Sequence, residues 1–101
     1  MAKFFHWDSN KNLQLMKERS VSFEDVLFYI EKGELLDTLR FRNLGPDSDR
    51  GVLVVKMQNY VYLVPYQETA RHYFLNSIIP SQQATQKYIG QNSGQNLGAG
   101  S

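Results

Sequence analysis

The stretch that most constrains this chain runs from Gly51 to Tyr66, GVLVVKMQNYVYLVPY, and has the pattern of a β-hairpin. Two runs of β-branched, aliphatic and aromatic residues, 52–57 and 60–66, meet at a polar Gln58-Asn59 pair that can form a tight turn. With that pair as the loop, one face of the hairpin is mostly aliphatic and the other is rich in tyrosine. We expect the aliphatic face to lie under helices and the tyrosine face to be open to a partner, or covered as well.

Length and composition restrict the class of protein. A chain of 101 residues has room for one domain with one modest core. No window approaches the roughly 18 consecutive apolar residues of a membrane span, and the N-terminal residues do not have the pattern of a signal peptide. Cysteine is absent, which excludes disulfides and thiolate sites, and a formal net charge of +1 says little about partners. We expect a cytoplasmic protein.

Two helices are predicted before the hairpin. The first covers 10–19, is capped by Asp8 or Ser9, and places Leu13 and Met16 on one apolar face. The second starts after Ser22, in a sequence close to a capping box, and stops at Gly33, which can adopt a left-handed conformation without steric cost. Its predicted buried stripe consists of Phe23, Val26, Leu27 and Ile30.

The remaining segments complete an α+β fold with a three- to four-stranded antiparallel sheet. Strands are predicted at 3–7, as an edge strand, at 35–41 and at 71–79, and a polar loop at 42–50 precedes the hairpin. In the last strand, Tyr73, Leu75 and Ile79 are expected on one face and His72, Phe74 and Ile78 on the other. Ser81 is expected to cap a C-terminal helix. The domain therefore covers 1–90, and 91–101, rich in Gly, Asn, Gln and Ser, is expected to be a flexible tail.

The N-terminal residues resemble a known family. Trp7-Asp8, Lys11 and the run VSFED at 21–25 match, without a gap, the pattern W-D-x-x-K followed by V-S-F-E-E of the BrnT family of bacterial toxins, which look like small relatives of the RelE ribonuclease fold. Ser81 and Ala84-Thr85 resemble the C-terminal part of the family. The resemblance covers about residues 4–89. It implies a toxin of a type II toxin-antitoxin system that cleaves RNA, inhibits translation and is neutralised by a cognate antitoxin in a hetero-oligomer.

Candidate residues follow from the chemistry of metal-independent RNA cleavage. That reaction needs a group that accepts the proton of a ribose 2′-hydroxyl, a group that protonates the leaving oxygen, and cations that stabilise the charge on phosphate. We expect no cofactor and no metal. The predicted catalytic residues are His72, Arg50 and Arg42. The predicted RNA-binding residues are Arg40, Lys56, Arg71, Tyr62 and Tyr66, with the tyrosines stacking on bases.

A second hypothesis keeps the fold without the catalysis. Relatives carry arginine and lysine through the C-terminal helix, whereas this chain has Gln82, Gln83 and Gln86, with Lys87 as the remaining cation. Under this hypothesis the chain is a protein-binding module in which catalysis is impaired. Both hypotheses include a protein partner, and only the first includes RNA, possibly presented by the ribosome, as a substrate. Neither involves a membrane.

Overall fold

The computed structural model describes residues 4–41 and 49–90, which form an α+β fold. In chain order the elements are β1 (Phe4–Trp7), α1 (Ser9–Arg19), α2 (Phe23–Glu31), β2 (Leu35–Phe41), β3 (Asp49–Met57), β4 (Tyr60–Glu68), β5 (His72–Leu75), β6 (Ile79–Pro80) and α3 (Gln82–Thr85), and a π-helical turn (Gln86–Gly90) follows directly. Residues 82–90 are called the C-terminal helical segment below. The predicted strand at 35–41 is confirmed residue for residue.

The hairpin formed by β3 and β4 has the predicted turn. Gln58 and Asn59 both have positive φ, 55° and 66°, which matches a type I′ turn and the right-handed twist of the strands. Met57 therefore pairs with Tyr60, and the register continues to Asp49 opposite Glu68. The prediction of which residues face each other across the hairpin is confirmed, because the two-residue turn determines the register.

The sheet extends the hairpin on both sides, in the strand order β1-β5-β4-β3-β2. Strands β2 to β5 are antiparallel neighbours, as predicted. The edge strand β1 pairs in parallel with β5, with Phe4 opposite His72 and Trp7 opposite Leu75. This parallel pair joins residues nearly seventy positions apart in the chain. The segment between them contains α1, α2 and strands β2 to β4.

The predicted last strand is interrupted. Tyr66 pairs with Leu75 and Leu63 pairs with Ile79, so three steps along β4 correspond to four steps along the neighbouring chain. The segment between β5 and β6 thus contains one extra residue, which, like a β-bulge, reverses the side on which the following side chains point. Consequently Ile78 is buried and Ile79 is exposed. The prediction that Ile79 shares a face with Leu75 is wrong for this reason.

Helices α1 and α2 begin at the predicted caps. The Asp8 carboxylate accepts a hydrogen bond from the Lys11 N–H, and Ser22 forms a complete capping box with Asp25. Gly33 follows α2 with φ of 89°. The predicted apolar face of α1 is wrong, since Leu13 and Met16 are 58% and 48% exposed. The buried residues of α1 are Asn12 and Leu15.

Asn12 determines that orientation. Its Oδ1 accepts a hydrogen bond of 2.8 Å from the Phe23 N–H, and its Nδ2 donates one of 2.9 Å to Glu24 Oε1. The bond from Asn12 holds the pKa of Glu24 below its ordinary value. Because Phe23 is the first residue of α2, Asn12 attaches α1 to an otherwise unpaired N–H at the start of the second helix.

The two helices cover the tyrosine-rich face of the sheet, which corrects the expectation that the aliphatic face lies under them. Leu15 and Phe23 of the helices pack against the strand residues of that face. These are the alternate positions from Leu53 to Met57 on β3 and from Tyr62 to Tyr66 on β4. The other face is covered over one part only, by the C-terminal helical segment, where Val61 N–H donates to Thr85 Oγ1 and Tyr88 Oη donates to Asp37 Oδ2. The rest of that face is open.

Several predictions concern residues outside the described part of the chain. They are Lys3 in the first strand, most of the polar loop at 42–50, and the tail at 91–101. Among the described residues, no helix has the length and apolar character needed to span a membrane.

Candidate functional site

The open part of the sheet carries a transverse row of side chains contributed by all five long strands. Phe41 on β2 pairs with Arg50 on β3, Arg50 with Gln67 on β4, Gln67 with Phe74 on β5, and Phe74 with His6 on β1. Residues paired directly across strands point to the same face, so these five side chains project from one side of the sheet. The row contains two aromatic rings, one guanidinium, one amide and one imidazole.

His72 extends this row. It lies two residues before Phe74 on β5 and therefore points to the same face. Its ring contacts that of His6, with centroids 4.3 Å apart and ring planes at 82°. Phe41, Arg50, Gln67, Phe74, His6 and His72 are called the open-face cluster below.

The exposure of the open-face cluster leaves its groups accessible. Phe41 and Phe74 are 54% and 38% exposed, Arg50 and His6 are exposed, and Gln67 and His72 are half-buried. None of the six carries a carboxylate, so no member of the cluster contributes a negative charge. Strands are spaced about 4.8 Å apart, which puts the Cα atoms of Arg50 and His72 roughly 12 Å from each other across two strands. Their side chains can reach one phosphodiester group from its two sides.

Arg50 and His72 are therefore the predicted residues that the fold brings together. Arg71 precedes His72 in the turn between β4 and β5 and is exposed. It is adjacent in sequence to His72 of the open-face cluster, and its carbonyl accepts a hydrogen bond from the Phe4 N–H. Arg42, the third predicted catalytic residue, lies outside the described residues.

Arg40 is on the opposite face. It pairs with Gly51, whose neighbours in sequence point to the open side, and its guanidinium lies 3.3 Å from the Glu68 carboxylate. Arg40 and Arg50 lie on neighbouring strands, but their side chains point to opposite faces of the sheet. Arg40 shares the covered face with Tyr66, which pairs with Gly51 on the next strand, and is separated from Lys56 and from the open-face cluster.

Lys56 points to the same face as Arg50 but lies at the other end of β3. They lie six positions apart in the strand, which corresponds to about 20 Å. Lys56 is half-buried beside the hairpin turn, and its backbone N–H donates to the Glu34 carbonyl. It is therefore remote from the open-face cluster.

Tyr62 and Tyr66 belong to the covered face. Tyr62 is partly buried against the core, and Tyr66 is 1% exposed, with its ring 5.4 Å from that of Tyr73. The prediction that Tyr66 stacks on a base is wrong, because neither side of its ring is accessible. Burial raises the pKa of Tyr66, and its hydroxyl has no hydrogen-bond partner among the described residues.

The aromatic residues of the open face were missed by the sequence analysis. Phe41 and Phe74 are the exposed aromatic residues of this face, in place of the predicted Tyr62 and Tyr66, and His6 was not among the predicted residues. Alternation within each strand gives the direction of these side chains. Their proximity depends on the β1–β5 pair and on the face chosen by the helices, and neither is a local property of the sequence.

A second concave region lies where the C-terminal helical segment crosses the sheet. It is a groove of about 390 Å³ lined by apolar residues of the sheet, with Ser81, Gln83, Lys87 and Tyr88 along the helical side. Burial, together with the hydrogen bond to Asp37, raises the pKa of Tyr88. Gln83 in this lining and the preceding Gln82 are both exposed, where the BrnT resemblance leads one to expect cations.

Fold and site together define a small α+β protein with one sheet face buried by helices and one partly open face bearing aromatic, basic and imidazole groups. Comparisons with protein-family models, curated proteins and solved structures gave no match.

Proposed function

We propose that this chain is the toxin component of a type II toxin-antitoxin system, a metal-independent RNA endonuclease that acts in the cytoplasm, inhibits translation and is neutralised by a cognate antitoxin. The resemblance to the BrnT family between residues 4 and 89 suggests the class. The observation that carries the proposal is the open-face cluster, because it combines on one exposed surface the groups that cleavage of unpaired RNA requires.

Each group of the cluster has a role in the proposed reaction. Unpaired bases stack on exposed aromatic rings, here Phe41 and Phe74, and hydrogen-bond to amides such as Gln67. Arg50 binds the scissile phosphate and stabilises the charge that develops on it. His72 transfers a proton, since an imidazole ring has nitrogens that can both donate and accept one.

Purified protein and a labelled, unpaired RNA oligonucleotide test the catalytic part of this proposal. We expect cleavage in the presence of a chelator, and no cleavage of the DNA oligonucleotide of the same sequence, which has no 2′-hydroxyl. Arg50→Gln should lower the cleavage rate by about 10²-fold, as loss of one charge-stabilising donor typically does.

Lys17→Gln is the matched control, because it removes the same charge from α1, on the far side of the molecule. Equal effects of the two substitutions would contradict a specific role for Arg50. Intact RNA with folded wild-type protein would contradict the enzyme.

Controlled expression in a bacterial host tests the biological part. A toxin should arrest growth and protein synthesis with fragmented RNA, and co-expression of the neighbouring reading frame should relieve the arrest. Arg50→Gln should abolish the arrest while the protein remains soluble and folded.

The alternative function is a protein-binding module on the same fold, with catalysis impaired. Exposed Gln82 and Gln83 at the C-terminal helical segment favour it, since amides provide no charge to hold a phosphate. This alternative predicts that the neighbouring gene product binds the chain, that expression of the chain alone is harmless, and that RNA stays intact.

A further inference from the structure

The contact between His6 and His72 joins the first strand to the fifth. The Phe4–His72 pairing of the parallel strands puts His6 two residues beyond Phe4, on the same open face. The rings are 4.3 Å apart between centroids and nearly perpendicular, at 82°. These are the two histidines of the whole chain, and the fold places them side by side on the surface that also carries Arg50.

We propose that His6 is a second catalytic residue and that His6 and His72 work as a proton-accepting and proton-donating pair in RNA cleavage. The inference rests on the proposed function. It assigns to His6, on the edge strand, a task that the BrnT-like pattern in the sequence does not indicate.

The surroundings of the pair favour proton transfer to a bound substrate. From β3 the cluster receives Arg50, from β4 the neutral Gln67, and from the preceding turn Arg71 adjoins His72 in sequence. Among the described residues, the carboxylates near the cluster in sequence include Asp8, which accepts a hydrogen bond from Lys11 N–H at the start of α1, and Glu68, which points to the covered face beside Arg40. The imidazoles can therefore exchange protons with the substrate.

The reaction can be balanced with these two side chains alone. The neutral imidazole of the pair accepts the proton of a ribose 2′-hydroxyl, and the 2′-oxygen forms a bond to the adjacent phosphorus. The bond between phosphorus and the 5′-oxygen of the next nucleotide breaks, and the protonated imidazole donates its proton to that oxygen. The products are a 2′,3′-cyclic phosphate and a 5′-hydroxyl, and no oxidant, reductant or metal is consumed. Because the ring planes are nearly perpendicular, the nitrogens of the two imidazoles lie in different planes.

A purely structural role for His6 makes a different prediction. Phe4 also approaches the His72 ring, with centroids 6.3 Å apart, so the corner of the sheet could be simply an aromatic cluster. In that case an isosteric residue without a titratable group should replace His6 at no loss of rate. The variants His6→Gln and His72→Gln separate the two roles, and Phe4→Leu is the matched control, because it alters packing against His72 without altering any proton-transfer group.

The experiment measures single-turnover cleavage of an unpaired RNA oligonucleotide from about pH 5 to pH 9 with chelator present. The wild-type rate should follow a bell-shaped curve. His6→Gln and His72→Gln should each reduce the maximum by about 10²- to 10⁴-fold and each remove one limb of the curve. The double variant should be little slower than the single ones, because the two groups act as a unit. Phe4→Leu should keep both limbs and the wild-type rate.

Chemical rescue protects the test against a folding defect. Free imidazole should restore cleavage to His6→Gly, which only a lost proton-transfer group explains, and the thermal transition reports folding separately. Wild-type rate and curve in His6→Gln would overturn the inference while leaving the proposed function intact. Cleavage that the chelator abolishes would also overturn it, and absence of cleavage by folded wild-type protein would overturn both.

Discussion

The two faces of the central sheet are built from the same strands and differ in almost every physical property. On β3, the alternate residues Gly51, Leu53, Val55 and Met57 are all buried on the face that α1 and α2 cover. The residues between them run from exposed Arg50, through Val54 beneath the C-terminal helical segment, to half-buried Lys56. One face therefore forms the hydrophobic core, and part of the other is exposed to solvent. The comparison shows that a strand's alternation defines two faces without saying which one will be covered.

The covered face was the tyrosine-rich one because of what the helices bring to it. Phe23, at the first turn of α2, is fully buried and stacks on Trp7, with ring centroids 5.5 Å apart. Large rings such as that of Tyr66 provide more apolar area than valines, so burying them beneath two helices gives the larger hydrophobic gain. Substitutions on the two faces should consequently differ in kind.

The largest difference is expected between two phenylalanines. Phe23→Ala should lower the free energy of unfolding by about 3–5 kcal/mol, because it removes a fully buried ring. Phe74→Ala on the open face, where the ring is 38% exposed, should lower it by only about 1–2 kcal/mol, because part of the apolar area is already in water. Denaturant unfolding followed by circular dichroism measures both. Similar losses in the two variants would mean that the open face is buried in solution.

Gly51→Ala should have the next largest effect. A Cβ at Gly51 would clash with the Leu39 carbonyl oxygen and would lie 2.5 Å from Tyr66 Oη. Since backbone and a buried ring must both move, we expect a loss of roughly 2–3 kcal/mol in the same unfolding measurement. Gly33→Ala is the control, because nothing lies within 4 Å of its Cβ position. Its cost is limited to the positive φ, about 1 kcal/mol.

Asn12→Ala tests the attachment of α1 to α2. It leaves the buried Phe23 N–H without an acceptor and should lower the free energy of unfolding by about 1–3 kcal/mol. It should also change how the free energy of unfolding depends on pH in the acidic range. Asn12 lowers the pKa of Glu24, so Glu24 stabilises the fold above its ordinary value of 4.5 and loses that contribution as pH falls through the lowered pKa.

The variant should therefore lose stability less steeply than wild type on the acid side of pH 4.5. Gln14→Ala, which removes an exposed hydrogen bond to Glu18 on the same helix, is the control. If wild type and Asn12→Ala lose the same amount of unfolding free energy on acidification, the link between Asn12 and Glu24 is contradicted.

Local features of the fold were predictable from the sequence. The Gln58-Asn59 turn determined the hairpin register, and Ser22 and Gly33 bounded α2, because turns and caps depend on neighbouring residues. The orientation of α1 was not predictable from its apolar spacing. Asn12 and Leu15, three positions apart, face inward instead of Leu13 and Met16, so the buried face of α1 combines one leucine with a hydrogen bond to the second helix.

The candidate site was predictable in its residue types and only partly in its geometry. Arg50 and His72 were predicted and lie on one face, whereas Arg40 was assigned to the same function and lies on the other. Lys56 shares the face of Arg50 but not its end of the strand. His6 was missed because its contact with His72 depends on a parallel pairing between the two ends of the domain, and no local pattern encodes that pairing.

The smallest effects should come from removing one hydroxyl on each face, and they should have opposite signs. Tyr66→Phe removes a buried hydroxyl that has no partner among the described residues, and should raise the free energy of unfolding by about 1 kcal/mol. Tyr88→Phe removes the 3.1 Å hydrogen bond to Asp37 and should lower it by roughly 0.5–1 kcal/mol. Unfolding curves at neutral pH measure both.

Unfolding measurements at alkaline pH extend the comparison of Tyr66→Phe with Tyr88→Phe. The pKa of each tyrosine is raised above the ordinary value of 10.0, so its contribution to stability is complete below that pH and declines as pH rises through the folded-state pKa. Each variant should thus lose less stability than wild type between neutral pH and the alkaline range. Tyr66→Phe should show the larger reduction, because Tyr66 is enclosed by the core and Tyr88 borders an open groove. The reverse order would mean that the open face excludes solvent more completely than the face covered by α1 and α2.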